Sequence, residues 1–63
     1  MGEDIWRQAD DWHWVGPDGW TICKIWSRGD YRYELWQPGG QCAVDTRDNL
    51  KAAKVRYNEI VKQ

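Results

Sequence analysis

Three breaks rich in glycine and proline leave the front of this 63-residue chain little freedom of topology. Gly16-Pro17-Asp18-Gly19 places Pro and Asp at central turn positions and Gly where a left-handed backbone is needed, the pattern of a type I turn closed by a G1 bulge. Ser27-Arg28-Gly29-Asp30 and Pro38-Gly39-Gly40 interrupt the chain again. Between the breaks lie residues 12–15, 20–26, 31–37 and 41–44, all rich in aromatic and β-branched side chains as strands are. Connections this short can only join antiparallel neighbours, so the order reads as a β-meander.

After Asp45 the apolar period changes from two to three and four. Leu50, Ala53, Tyr57, Ile60 and Val61 form the stripe of an amphipathic helix, expected over residues 47–61. Thr46 or Asp45 is placed to cap it, Asp48 suits the positive end of its dipole and Lys62 the negative end. The expected fold is α+β: a three- to four-stranded antiparallel meander with one C-terminal helix packed on one face. Residues 12–63 make the single domain and residues 1–11 an N-terminal arm, read either as a short helical turn around Ile5 and Trp6 or as mobile chain.

The turns also set a register. A G1 bulge in the first hairpin pairs Val15 with Thr21, Trp14 with Ile22 and His13 with Cys23. A two-residue loop at Arg28-Gly29 pairs Trp26 with Tyr31, Lys24 with Tyr33 and Ile22 with Leu35. Side chains alternate between faces, so Trp12, Trp14, Trp20, Ile22, Trp26, Tyr31, Tyr33 and Leu35 share one face, the expected seat of the helix. The other face collects His13, Val15, Thr21, Cys23, Ile25, Arg32, Glu34 and Trp36. One helix is narrow for so many rings, so either the arm lays Ile5 and Trp6 over the remainder or a second copy of the chain does. Homodimerisation would also stabilise a domain of this size, which is marginal alone.

Composition narrows the function classes. Six Trp and three Tyr occur without Phe, and nine basic residues nearly balance ten acidic ones, which fits neither a polycation nor an acidic disordered chain. The charge is unevenly spread: residues 1–19 hold five acids and one base, whereas residues 20–63 hold eight bases and five acids. An acidic arm beside a mildly basic body suits a basic partner, a self-masking contact or a solvated terminus. No apolar run approaches a membrane span and the N-terminus lacks signal-peptide character, so a cytoplasmic chain with no membrane partner is expected. Gly2 does not complete a myristoylation motif, because Trp6 stands where Ser or Thr is required. Cys23 and Cys42 have no metal or redox spacing and are expected as thiols.

Catalytic chemistry has little to stand on. The one His, His13, faces Cys23 across the expected register, the shape of a thiol and its base, but no third orienting group or oxyanion hole accompanies them. One His and two separated Cys do not make a metal site, and no cofactor motif is present. Arg28-Gly29-Asp30 spells an integrin-binding tripeptide, yet these are the residues a tight hairpin wants. The expectation is a non-enzymatic binding protein that inhibits or modulates a partner protein, with Trp36, Arg32, Glu34, His13 and Ile25 as its contact surface, since Trp and Arg dominate interface hot spots. A nucleic-acid module using Arg32, Trp36 and Arg47, Lys51, Lys54 and Lys62 is the first alternative. A purely structural homodimer or subunit is the second.

The succession of Trp14, Pro17-Asp18-Gly19, Ile22, Tyr33 and then Thr46 leading into Ala52-Ala53-Lys54 resembles short strand–strand–strand–helix proteins common in bacteriophage and prophage genomes. Over residues 12–61 the layout is also similar to the DNA-binding domain of plant AP2 factors and to phage-type integrase amino-terminal domains. The resemblance implies a mobile-element protein that works in the cytoplasm of a host bacterial cell by inhibiting or modulating a host protein and, through the latter families, DNA contact by the sheet. Those families aim several Arg and Lys from the sheet, whereas this chain offers Arg32 opposed by Glu34.

Overall fold

The computed structural model describes residues 5–62. The expected acidic arm residues Glu3 and Asp4, and Gly2 with them, lie outside the described residues. The fold is α+β: a five-stranded antiparallel open sheet in sequence order, followed by one helix. The strands are β1 (Arg7–Asp10), β2 (His13–Val15), β3 (Thr21–Ser27), β4 (Asp30–Trp36) and β5 (Asp45–Arg47), and the helix is α1 (Leu50–Val61).

The two inner hairpins have the register their turns imply. Val15 pairs with Thr21, Trp14 with Ile22 and His13 with Cys23; Ile22 pairs with Leu35, Lys24 with Tyr33 and Trp26 with Tyr31. The first turn reaches that register by a different backbone. Asp18 already adopts a left-handed conformation at φ 57°, Gly19 follows at φ 89°, and Trp20 N–H donates to the Pro17 carbonyl at 3.2 Å. This is the Asp-Gly arrangement of a type I′ turn rather than a type I turn with a bulge. Both turns leave three residues between Gly16 and Trp20, and Gly16 N–H still donates to the Trp20 carbonyl at 2.7 Å, so the register is unaffected. The second turn is also left-handed at both central residues, Arg28 at φ 54° and Gly29 at φ 81°.

Three expectations need correction. From Arg7 the supposed arm is a true edge strand, turned back by Asp10, whose Oδ1 accepts from the backbone N–H of Trp12 at 2.8 Å and of His13 at 2.9 Å. Its side chains are all exposed, so it carries no apolar alternation to read. Residues 41–44 are not a strand; pairing with β4 is made by Asp45–Arg47 instead. The helix consequently starts at Leu50, capped by Asn49, whose side chain accepts from Ala52 N–H at 2.8 Å. Asp45 and Thr46 are therefore strand residues rather than caps, and Val61 at the far end is 46% exposed.

The core lies between α1 and one sheet face. Ile22, Leu35 and Ala53 are fully buried, with Trp6 and Tyr57 nearly so, and Trp14, Trp20, Tyr33, Leu50 and Ile60 pack around them. Tyr57 meets the rings of Trp6 and Trp20 edge-on, each at 5.2 Å between centroids. Trp6 in turn lies against Gly16, where an added Cβ would stand 2.7 Å from the indole. On the same face, Asp45 Oδ2 accepts from Arg47 Nη2 at 2.8 Å and forms an ion pair with Arg56 Nε at 3.0 Å, tying β5 to the helix. The hydrogen bond from Arg47 is the main cause that holds the Asp45 carboxyl below its ordinary range; partial burial opposes it, and Thr46 N–H and the charges of Arg47 and Arg56 assist.

Two tests follow from this packing. Gly16→Ala should cost about 1–3 kcal/mol by pushing Trp6 out of its seat, read from the urea midpoint; an unchanged midpoint would mean that Trp6 is not held against the turn. The Asp45 carboxylate contributes stability that is complete above the ordinary carboxyl pKa and is lost as pH falls through its lowered folded value. Asp45→Asn should therefore flatten the acid side of the stability–pH curve and cost about 1 kcal/mol near neutrality. A variant as acid-sensitive as the parent would assign that slope to other carboxyls.

Candidate functional site: an uncovered aromatic cluster

The length and starting point of α1 decide which part of the sheet stays open. β5 is three residues long and ends at Arg47, opposite Tyr33. The helix begins three residues later and runs back toward Trp20 and Trp6, reaching them at Tyr57. The next rank of the same face, Trp26 and Tyr31 beside the Arg28-Gly29 turn, has no helix above it. Trp26 is 62% exposed, Trp12 53% and Tyr31 38%. They were expected in the core because alternation gives the face a side chain occupies, and the face is indeed the helix-bearing one.

These rings form one cluster. Tyr31 stands between Trp26, edge-on at 4.8 Å, and Trp12, tilted at 6.2 Å. Lys24 Nζ lies 4.3 Å from the Tyr31 ring centroid and 5.6 Å from that of Trp12, within the range of a cation–π contact. Each member is held by backbone. Trp12 is fixed by the Asp10 turn and by its carbonyl, which accepts from Lys24 N–H at 2.7 Å. Tyr31 follows the tight hairpin, where Asp30 Oδ1 accepts its backbone N–H at 2.8 Å. Asp10 also meets His13 Nδ1 at 3.0 Å, and its carboxyl is held below the ordinary range, chiefly by the hydrogen bond from Trp12 N–H.

The expected contact residues do share the opposite face. Glu34 pairs with Cys23, Arg32 with Ile25 and Trp36 with Thr21, so Trp36, Arg32, Glu34, His13 and Ile25 all point away from the helix. Their availability differs from that expectation. Trp36 is half-buried and its Nε1 is sealed from solvent without a hydrogen-bond partner. Arg32 is engaged by Asp48 and His13 by Asp10. Arg32 and Trp36 lie on the sheet face opposite α1, the helix that carries Lys51 and Lys54. Arg47 is bound to Asp45 on the helix side.

Cys23 does sit opposite His13 in the ladder. Its thiol is pushed up in pKa, first by burial and then by the Glu34 and Asp10 carboxylates, which disfavours the thiolate a nucleophile needs. Both cysteines are free thiols. No group of His, Cys, Asp and Glu among the described residues could hold a metal ion. Nor is any helix there long and apolar enough to cross a membrane.

Exposure of the cluster follows from the observed length of the helix, which the expected span over residues 47–61 would have hidden. A helix of 12 residues spans about 18 Å, whereas seven-residue strands such as β3 and β4 span about 23 Å. Rings at the strand ends beside a hairpin are the ones left over. Comparison with known proteins adds no assignment: no family, curated protein or solved structure matches the chain.

Two side chains test this division of faces. Trp36→Ala should lower stability by about 2 kcal/mol, a half-buried fraction of the usual cost of removing a core indole, whereas Trp26→Ala should change it by under about 1 kcal/mol. Equal losses in thermal unfolding would contradict the difference in burial. Iodoacetamide should label exposed Cys42 before Cys23 at neutral pH, followed by mass spectrometry; faster labelling of Cys23 would restore the thiol–imidazole reading.

Proposed function

We propose that this chain is a non-catalytic binding module that captures a protein through Trp12, Trp26 and Tyr31 and modulates or occludes it. The carrying observation is the exposure of three contiguous rings at one end of the sheet, beside its turns. Taking about 200–250 Å² for each aromatic side chain, they present roughly 350 Å² of ring surface, the size of the largest patch on an ordinary monomer and a mark of interaction sites. Trp and Tyr are also the types that dominate interface energies, because they bury much area while ordering few torsions.

A mobile-element protein acting on a host factor is the narrower form of this proposal, and it rests on chain size and layout. The test is affinity capture with the full chain from lysate of its source cell, with and without nuclease. A stoichiometric protein should survive nuclease, be retained by Arg32→Ala and be lost with Trp26→Ala. Loss with Arg32→Ala and retention with Trp26→Ala would move the site to the opposite face. A signal that disappears with nuclease would favour nucleic-acid binding instead.

A further inference from the structure

The polar groups around the cluster restrict what can dock there. Trp12 and Trp26 each present an indole N–H, Tyr31 a hydroxyl and Lys24 an ammonium; of these only the Tyr hydroxyl can also accept. Within the described residues, no hydrogen bond engages the two indoles or the Tyr31 hydroxyl. The polar groups that the rings themselves and Lys24 present are therefore almost all donors. Lys24 already occupies the electron-rich side of Tyr31, so a cationic group on the ligand would meet a like charge over that ring. The tilts of 45° and 76° make the rings stand as ridges with notches between them rather than as a flat plate.

A complementary ligand has apolar faces to fill notches, carbonyl acceptors along its length and few donors. An extended proline-rich segment has this chemistry: proline lacks an N–H, and polyproline II leaves every carbonyl unsatisfied. The patch is too small for a second copy of the chain, because a stable dimer buries about 800 Å² on each side and the rings offer less than half of that. Exposed Asp11 and Asp30 border Trp12 and Tyr31 in the adjoining turns, so the electrostatics favour a basic residue at the end of the segment and disfavour a phosphate chain. We propose that the cluster binds a proline-rich extended segment of a partner protein, flanked by a basic residue. This rests on the docking role assigned above to the same rings.

The test uses the full chain and a short oligoproline peptide ending in arginine, followed through the indole N–H signals of the nitrogen-15-labelled protein. The signals of Trp12 and Trp26 should shift saturably while that of Trp36 stays in place. Trp12→Ala and Trp26→Ala should each weaken binding at least about tenfold. Tyr31→Phe, which keeps the ring and deletes the hydroxyl, should weaken it less, and Arg32→Ala should leave it unchanged. Equal shifts with a glycine–serine peptide of the same length and charge would overturn the proposal, as would shifts produced only by a single-stranded oligonucleotide. If the oligoproline leaves both indoles unmoved while Trp26→Ala still abolishes protein capture, the docking surface stands and the ligand chemistry assigned here is wrong. If Trp26→Ala has no effect on capture either, both fail.

Discussion

Tyr57 is the point at which the parts of this small fold meet. Its ring stands edge-on to Trp6 and to Trp20, 5.2 Å from each, and so joins the helix, the chain entering the edge strand and the first hairpin turn. Edge-to-face pairs of this kind add about 0.5–1.5 kcal/mol each beyond the area they bury. That is a large fraction of the stability of a domain this short. With five of the described residues fully or nearly buried, each aromatic contact carries weight that a larger core would spread over many aliphatic ones. Gly16 belongs to the same unit, because its missing side chain is what lets the Trp6 indole lie against the turn.

The commitment of the core to one end of the sheet explains the exposure at the other. The helix is drawn toward Trp6 and Trp20, and the Asp45–Arg56 ion pair holds its middle over β5. What remains beyond Tyr33 is a pair of strand ends whose tight turns keep their rings in place without cover. A sheet stiff enough to hold its side chains while leaving them solvated gives a binding surface that loses little conformational freedom on association.

The middle of the sheet was legible because it is written in turn chemistry. Two tight connections fix pairing, and pairing fixes which face every side chain from His13 to Trp36 occupies. The helix was legible in period but not in its first turn, since Asp45 and Thr46 look as much like caps as Asn49 does; the choice is made by pairing of Asp45–Arg47 with β4, a tertiary effect. β1 was hidden because an edge strand with solvent on its side chains needs no alternation. The candidate site was half legible. Alternation placed Trp12, Trp26 and Tyr31 on the helix side, but burial depends on how far the helix reaches, which no local pattern encodes. Trp36 was read correctly for direction and incompletely for depth, its N–H being sealed from solvent.

The seat of Trp6 bears on how the protein comes into being. Trp6, which precedes the first strand, finds its partner ring in Tyr57 on the helix that follows the last, so this core cannot close until all five strands and most of the helix have been made. Until then the hairpins can form but have nothing to cap them, and their rings stand open to any neighbour. Loss of the helical turn that carries Tyr57 should therefore cost the whole fold rather than one end of it.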